Sequence, residues 1–206
     1  MSQFFQVYPE HPQKRLIVRA AELIREGAVV VYPTDSGYAL GCHLRDKNAL
    51  ERIIRVRQLG KSHHFSLICR NVSELSTYAY VDNQAFRLLK NHTPGAYTFI
   101  FKATKEVPKR LLFPKKKTIG IRIPDDTIAL ALLEELNEPL MSTSLILPNE
   151  QQAECEPYAI REQLEHQVDL ILDGGYVDSE PTTVLDLSND TIEVIREGRG
   201  SIEPFL

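Results

Sequence analysis

The sequence is poor in cysteine and has no long apolar run. Three cysteines occur among 206 residues, Cys42, Cys69 and Cys155, and this odd, widely spaced set is typical of free thiols rather than of a disulfide framework. No stretch reaches the roughly 18 apolar residues that a membrane helix needs. Residues 1–10 also lack the basic head and apolar run of a signal peptide. We therefore expect a cytoplasmic protein with no membrane partner.

The common signatures of phosphate-binding loops, hydrolases and metal sites are absent from the sequence. It contains no GxxxxGK[ST] loop, no GxGxxG turn and no GxSxG elbow. His63 and His64 precede Cys69, but they lack the repeated spacing of zinc ligands. We therefore predict no metal site in this segment, and a nucleotide site would have to form without a glycine-rich loop.

What is present is the composition of an ordinary globular protein. Apolar residues make up 43% of the chain and charged residues 25%. A chain of this length buries about 70% of its unfolded surface and needs neither a metal nor a disulfide for stability. We find no linker and no internal repeat, which predicts a single domain over residues 1–206.

Charge is segregated along the chain, although the net charge is only −4. Residues 101–120 contain seven basic side chains against the single acid Glu106, whereas residues 151–206 contain 13 acids against three arginines. A basic stretch in an acidic protein is either the contact surface for a polyanion, such as RNA or a nucleoside triphosphate, or a solvated loop that keeps the protein soluble. The sequence leaves both interpretations open.

Short apolar runs alternate with helical patterns. Apolar residues at helical spacing follow Pro12, and Asp46, Asp82 and either Asp125 or Asp126 are placed to cap further helices. Strands are predicted at 28–32, 65–69, 96–102, 118–123, 140–147, 168–172, 183–187 and 191–195. Because the last three follow one another without a helix, the pattern predicts an α/β fold with a twisted, mixed, open sheet.

Polar and cationic residues follow several of these strands, at the edge where open α/β sheets usually bind ligands. Arginines and hydroxyls together suit a triphosphate, because a guanidinium binds two phosphate oxygens and a hydroxyl adds a directed donor. The set comprises Thr34, Asp35, Ser36, Tyr38, Arg52, Arg55, Arg57, Lys61, Arg122, Ser142, Thr143, Ser144, Thr182, Thr183 and Arg196. Each segment alone is equally typical of a turn or a solvated helix face, so the prediction depends on the whole set.

Eight motifs, spread in order along the chain, together resemble those of one protein family. They are YPTDSGYALG (32–41), RVR (55–57), HTPGAYTFIF (92–101), GIRIP (120–124), PLMSTS (139–144), DGG (173–175), TTVLDL (182–187) and IREG (195–198). The chain resembles the YrdC/YciO family, in particular its YciO branch, from Ile17 to about Gly200. The resemblance implies a twisted α/β sheet with a large, concave, positively lined cavity.

The best-known members of this family are threonylcarbamoyl-AMP synthases, which act in tRNA modification. The resemblance therefore implies synthesis of an acyl-adenylate from ATP, L-threonine and bicarbonate, with Mg²⁺ bridging the phosphates. It assigns the amino acid to Thr34, Tyr38, Arg122 and Thr182, and ATP to Arg55, Arg57, Ser144 and Arg196. Arg57 and Ser144 are the expected catalytic residues.

Four departures from the synthase pattern predict weak synthesis, one of them Ser36 with Gly37-Tyr38-Ala39 where the synthases tend to read Thr-x-Tyr-Gly. The synthases read Lys-x-Arg and Ser-x-Asn, whereas this chain has arginine at Arg55 and an apolar side chain at Ile146. Isoleucine has no donor or acceptor, and the loss of one contact in a buried site costs about 1 to 3 kcal/mol. Asp126 also stands where the synthases often have histidine.

An alternative function, which the resemblance also suggests, is binding of double-stranded RNA or tRNA without chemistry. Recognition of an RNA backbone by shape and phosphate contacts needs no base-reading motif. Lys115, Lys116 and Lys117 are the expected RNA contacts. The negative net charge of the whole chain argues against strong affinity.

Overall fold

Ten strands form one continuous sheet in the computed structural model, which describes residues 1–60 and 63–205. They are β1 (Gln3–Gln6), β2 (Val30–Thr34), β3 (Gly37–His43), β4 (Ser66–Ile68), β5 (Tyr97–Lys102), β6 (Thr118–Arg122), β7 (Leu140–Ser144), β8 (Leu170–Asp173), β9 (Thr183–Asp186) and β10 (Glu193–Arg196). The spatial order is β1-β8-β2-β3-β7-β4-β6-β5-β9-β10. The pairs β1–β8, β2–β8, β4–β6 and β5–β9 are parallel, and the others are antiparallel. This mixed sheet confirms the predicted α/β class.

The described part of the chain also contains six α-helices. They are α1 (Lys14–Arg25), α2 (Lys47–Arg57), α3 (Val72–Tyr78), α4 (Asn83–His92), α5 (Thr127–Leu136) and α6 (Pro157–Leu164). Four of them follow an aspartate or asparagine whose side chain accepts a hydrogen bond from the backbone N–H three residues later: Asp46, Asn71, Asp82 and Asp126. Of the two candidate caps before α5, Asp126 is therefore the one used.

The sequence periodicity predicts neither β1, β3 nor α3. β1 has four residues, too few to establish an alternation, and α3 buries Leu75 alone. β3 is buried along nearly its whole length, so apolar and polar residues do not alternate in it. The strand expected at 28–32 lies instead at Val30–Thr34, because the N–H of Ala28 donates to the Leu23 carbonyl of α1 and that of Val29 donates to the Asp169 side chain.

The sheet lies between two helical layers. Val30 and Tyr32 of β2 pack in a core with α1 and α5, whereas Val31 between them belongs to the core on the opposite face. Buried residues of α2, α3, α4 and α6 contribute to that second core. Strands β2 and β3 are therefore covered on both faces, which explains their continuous burial.

Strands β5, β6 and β9 have one face that the helices leave accessible. Phe99 and Phe101 of β5 point into the core, whereas Thr98 and Ile100 point to the other face. The same alternation places Gly120 of β6 on that accessible face. Because the register pairs Thr98 with Val184 of β9, one concave surface runs across the three strands.

None of the helices in the described residues is long and apolar enough to cross a membrane. The three cysteines are free thiols, and Cys42 and Cys69 are buried. Burial raises the pKa of the Cys42 thiol to about 12, so it stays protonated at neutral pH.

Candidate functional site

A cavity of about 630 Å³ occupies the concave surface of the sheet. Its floor carries hydroxyl side chains from Ser66, Thr98, Thr118 and Thr143. A Cβ atom at Gly120 would lie 2.9 Å from Ser66 Oγ and 3.3 Å from Thr98 Cγ2, so glycine keeps the floor open between them. A cavity of this size accommodates a nucleotide-sized ligand.

Arg57 lies at the end of α2, where the helix stops because Gln58 adopts a left-handed conformation at φ 51°. Its Nε donates to the carbonyl of Ile146 at 2.8 Å, and its Nη1 donates to Thr143 Oγ1 at 2.7 Å. Burial lowers the pKa of Arg57, but a guanidinium stays charged at neutral pH. The cavity wall therefore contains a fixed, half-buried cation.

His63 is a cavity residue that sequence reasoning did not assign to the site. Its Nε2 lies 2.9 Å from Thr143 Oγ1, the hydroxyl that Arg57 also contacts. Burial, together with the charges of Arg57 and His64, lowers the pKa of His63 to about 4. His63 is therefore neutral at pH 7 and leaves the positive charge of this wall to Arg57.

The loop after α2 and the basic loop before β6 meet at the cavity. The ring of His64 stacks on the ring of Phe113, with centroids 4.2 Å apart and an interplanar angle of 19°. Both side chains line the cavity. The basic loop thus forms one of its walls. The sequence gives no indication of this contact, because the two residues are distant in the chain.

Arg196 and Thr182 enclose the cavity from the late strands. The Arg196 guanidinium donates to the Thr182 carbonyl, with Nη2 at 2.8 Å, and Thr182 Oγ1 lies 2.9 Å from Thr98 Oγ1. Burial lowers the pKa of Arg196, which nevertheless stays charged. This second guanidinium is contributed by β10, an edge strand, whereas Arg57 comes from a helix.

Ser144 and Ile146 complete the wall after β7. Ser144 ends the strand and is exposed to the cavity, as expected for a residue that contacts a ligand. The side chain of Ile146 also lines the cavity, while its carbonyl is held by Arg57. At the position where the resemblance places an asparagine, this chain thus presents an apolar surface.

The three lysines of the basic loop differ in their surroundings. Lys116 lines the cavity, and its Nζ lies 3.5 Å from Oδ2 of the buried Asp186. Burial alone would raise the pKa of Asp186, but hydrogen bonds from Ser188 and the charge of Lys116 outweigh it and lower that pKa. Lys115 and Lys117 are exposed and adjoin Lys116 in the chain.

Two predicted cations, Arg52 and Arg55, do not line the cavity, and Arg52 forms an ion pair with Asp169. Arg55 is exposed on α2 and does not line the cavity, although it is two residues from Arg57. A helix turns about 100° per residue, so the two side chains point in different directions. Lys61 falls outside the described residues.

Three residues that the resemblance assigns to the amino acid do not line the cavity either: Thr34, Tyr38 and Arg122. All three are buried, and their exposed fractions are 2%, 0% and 6%. The Tyr38 hydroxyl donates to the Gly175 carbonyl at 2.7 Å. Burial raises the pKa of Tyr38, with contributions from nearby carboxylates, so its hydroxyl is protonated.

Arg122 lies beside two carboxylates, and we call Arg122, Asp35 and Asp126 the acidic cluster. Nη1 of Arg122 donates to Ser36 Oγ at 2.8 Å, and Nη2 donates to Asp35 Oδ1. Burial, with a smaller contribution from the charge of Asp35, raises the pKa of Asp126 to about 6. Arg122 lies two residues beyond Gly120 on the same face of β6, so their Cα atoms are roughly 7 Å apart.

A protein-family model matches the part of the chain that forms the cavity. The family model described as "Telomere recombination", which represents Sua5, YciO and YrdC proteins, matches residues 22–198. The chain belongs to the Sua5/YciO/YrdC family. The match includes every residue that forms the cavity and the acidic cluster.

Relatives within the Sua5/YciO/YrdC family fall into two groups. Escherichia coli (strain K12) YciO, described as uncharacterized, is 61% identical over 206 residues, which cover 100% of both chains. A putative threonylcarbamoyl-AMP synthase from Methanocaldococcus jannaschii is 28% identical over 191 residues, which cover 92% of this chain and 88% of that protein.

Solved structures of the Sua5/YciO/YrdC family have the same fold as this chain. The crystal structure of E. coli YciO superimposes with a TM-score of 0.96 at 61% identity and covers both chains completely. The structure of P. abyssi Sua5 complexed with L-threonine has a TM-score of 0.91 at 25% identity, covering 98% of this chain and 59% of that one. The fold of this chain is thus shared with YciO and with part of the longer Sua5 chain.

Proposed function

We propose that this protein binds ATP in the cavity and forms an acyl-adenylate, as a nucleotidyltransferase of the threonylcarbamoyl-AMP synthase type. The observation that supports the proposal is the convergence of Arg57, Ser144 and Arg196, from three separate elements, on one cavity of about 630 Å³. These residues lie 52 to 139 residues apart in the chain, yet they surround the same space.

The proposed chemistry is displacement at the α-phosphate. A carboxylate oxygen of the N-carboxylated substrate forms a bond to the α-phosphorus, and the bond to the β-phosphate oxygen breaks, so that pyrophosphate leaves with the electron pair. Arg57 and Arg196 would neutralise the charge on the phosphates, and the Ser144 hydroxyl would donate a hydrogen bond to them. Positioning and charge neutralisation supply most of the catalysis in such reactions.

Magnesium fits this site as a partner of the phosphates rather than as a protein-bound ion. The described residues contain no group of three or more histidine, cysteine or carboxylate side chains able to hold a metal. Mg²⁺ commonly binds through substrate phosphates with one or two carboxylates, and Asp186 is a carboxylate in the described lining of the cavity. When bound, the ion would screen the phosphate charge.

Because the side chain of Ile146 is apolar, we expect weak activity with L-threonine. The side chain lies in the cavity wall next to the Arg57 contact, where it can make no hydrogen bond to a nucleotide. The test is pyrophosphate release from ATP with Mg²⁺, bicarbonate and L-threonine, compared with the same mixture without threonine. We expect slow, threonine-dependent release that rises about tenfold in Ile146→Asn.

Ile146→Val serves as the matched control, because it shortens the side chain without adding a polar group. Equal gains in Ile146→Asn and Ile146→Val would assign the effect to space rather than to hydrogen bonding. No ATP binding and no pyrophosphate release in any of the three proteins would contradict the proposal.

Binding of double-stranded RNA or tRNA is the second candidate function, with or without catalysis. It is favoured by the position of the basic loop, which contributes Phe113 and Lys116 to the cavity and exposes Lys115 and Lys117 beside it. An RNA backbone on these lysines would lie at the opening of the proposed nucleotide site.

The salt dependence of binding tests this second function. Lys115→Gln combined with Lys117→Gln should weaken binding to an RNA duplex and reduce the slope of log affinity against log salt by about two. Lys47→Gln combined with Lys90→Gln removes two exposed lysines elsewhere and is the matched control. Binding that is insensitive to salt in the unmodified protein would exclude RNA backbone recognition.

A further inference from the structure

The hydroxyl of Thr143 joins Arg57 and His63 in the wall of the cavity. Its Oγ1 lies 2.7 Å from Arg57 Nη1 and 2.9 Å from His63 Nε2. A guanidinium nitrogen can only donate, so Oγ1 accepts the hydrogen bond from Arg57. The hydroxyl's own proton is then left for His63, its other side-chain contact among residues 1–60 and 63–205. We call these three side chains the hydrogen-bond network of the wall.

The protonation of the His63 ring follows from this count of donors. Burial, with the charges of Arg57 and His64, lowers the pKa of His63 to about 4, so only one ring nitrogen carries a proton at neutral pH. If that nitrogen were Nε2, the Thr143 hydroxyl would accept two hydrogen bonds and its own proton would have no acceptor in the described part of the wall. Nε2 is therefore the acceptor, and Nδ1 carries the proton.

Two further contacts hold His63 in place. Its backbone N–H donates to the Gly60 carbonyl at 3.2 Å. Its ring meets the ring of Phe65 edge to face, with centroids 5.0 Å apart and an interplanar angle of 73°. Because backbone and ring are both fixed, the imidazole can restrain the direction of the Thr143 hydroxyl.

This restraint acts on the guanidinium of Arg57. Of its five N–H donors, one on Nε is bound by the Ile146 carbonyl and one on Nη1 by Thr143 Oγ1. Nη2 forms no hydrogen bond to the residues that the structure describes, and it keeps both of its N–H groups for a ligand. A hydroxyl that donates is also a better acceptor, because consecutive hydrogen bonds polarise one another. The bond from Thr143 to His63 therefore strengthens the hold on Arg57.

We propose that His63 is a positioning residue, which accepts a hydrogen bond from Thr143 and thereby holds Arg57 in the orientation that binds the phosphates of ATP. The inference rests on the proposed function, in which Arg57 neutralises phosphate charge. A neutral imidazole suits this position. A carboxylate there would offset the charge of Arg57, and an ammonium group could not accept a hydrogen bond from Thr143.

The tautomer of His63 tests the inference without any nucleotide. A long-range proton–nitrogen correlation spectrum of the full chain, labelled with nitrogen isotope in its histidines, distinguishes protonated from unprotonated ring nitrogens. His63→Gln identifies the signals of His63 by their loss. We expect the Nδ1–H tautomer at pH 7, and we expect this preference to be lost in Thr143→Val, which removes the hydroxyl but keeps the shape. The Nε2–H tautomer in the unmodified protein would overturn the inference.

The affinity for ATP then measures what the network contributes to binding. His63→Leu and Thr143→Val should each weaken ATP binding about tenfold, because each breaks the same network. The double variant should lose no more than either single variant, since residues that act through one contact are not additive. His63→Gln keeps an acceptor near the position of Nε2 and should retain most of the affinity. His11→Leu, at an exposed histidine, is the matched control.

Additive losses in the double variant, or equal losses in His63→Leu and His63→Gln, would contradict the inference and assign His63 a packing role. If His63→Leu does not fold, the tautomer in the unmodified protein still decides the outcome. No ATP binding by the unmodified protein would contradict the proposed function, whereas the Nε2–H tautomer would contradict the inference alone. The two failures are thus distinguishable.

Discussion

The cavity and the acidic cluster lie on the same face of β6, but they differ in charge and exposure. The cavity is open and contains the guanidinium groups of Arg57 and Arg196. The cluster is buried, and its single guanidinium, on Arg122, is outnumbered by carboxylates. An arginine near a strand end therefore does not by itself indicate an anion site. Its function depends on which neighbours already occupy its donors.

The largest expected effect tests the cationic side of this comparison. Arg57→Ala removes the half-buried guanidinium that the Ile146 carbonyl and Thr143 hold in place, so we expect the affinity for ATP to fall about a hundredfold. Isothermal titration with ATP measures it, and Arg15→Ala, an exposed arginine on α1, is the control. A loss of less than twofold at Arg57 would mean that the cavity does not bind phosphate through this residue.

The second-largest expected effect is a change in the free energy of unfolding when Asp126 of the acidic cluster is replaced. The pKa of Asp126 rises to about 6 in the folded protein from an ordinary value near 3.8. The folded state therefore holds its proton more tightly, and stability falls as pH rises from about 4 to 6 and stays reduced above that range. Asp126→Asn removes this cost and keeps the cap, so it should stabilise the fold at pH 8 by about 2 kcal/mol.

Urea unfolding at pH 4 and pH 8 measures this difference, which should nearly vanish at the lower pH. Asp125→Asn makes the same chemical change on an exposed side chain and should have little effect at either pH. A destabilised Asp126→Asn at pH 8 would mean that the carboxylate is paired better than the cluster suggests.

A smaller expected effect on ATP affinity tests whether Arg55 contributes to the cavity. Arg55 is assigned to ATP by the family resemblance, but its side chain is exposed and outside the cavity lining. We expect Arg55→Ala to reduce ATP affinity by no more than about fivefold, through the long-range field alone. A loss equal to that of Arg57→Ala would support the assignment from the resemblance.

The smallest expected effect is the difference in salt dependence between the cavity and the acidic cluster. Raising NaCl from 50 to 500 mM should weaken ATP binding several-fold, because the cavity is open to ions. The gain in stability from Asp126→Asn at pH 8 should change little over the same range, because the carboxylate is largely shielded from salt. A gain that disappears at 500 mM NaCl in urea unfolding would mean that the two regions do not differ in exposure.

Much of the fold was predictable from local patterns. Helix caps at Asp46 and Asp82 follow from residue type, because a short acidic side chain reaches the free N–H groups of the first turn. The buried strands were recognisable from apolar runs. β3 was not, because its burial on both faces depends on helices that lie elsewhere in the chain.

The candidate site was predictable only in part. Strand-end polarity and the family resemblance indicated Arg57, Ser144, Thr182 and Arg196, which the structure places together around the cavity. Neither indicated His63 or the stack of His64 on Phe113, since these depend on contacts between distant loops. Nor did they indicate that Asp35 pairs with Arg122. The two residues belong to different motifs, and a sequence motif does not show which donors already form hydrogen bonds.

The sequence by itself determined the α/β class, the family and the separation of basic and acidic segments. These properties depend on residue type, local periodicity and ordered motifs, all of which can be read along the chain. Only the tertiary structure decided that Arg57 and Arg196 share a cavity while Arg122 is buried among carboxylates. The physical reason is that electrostatic and hydrogen-bond interactions depend on distance and burial in space, which separation along the chain does not fix.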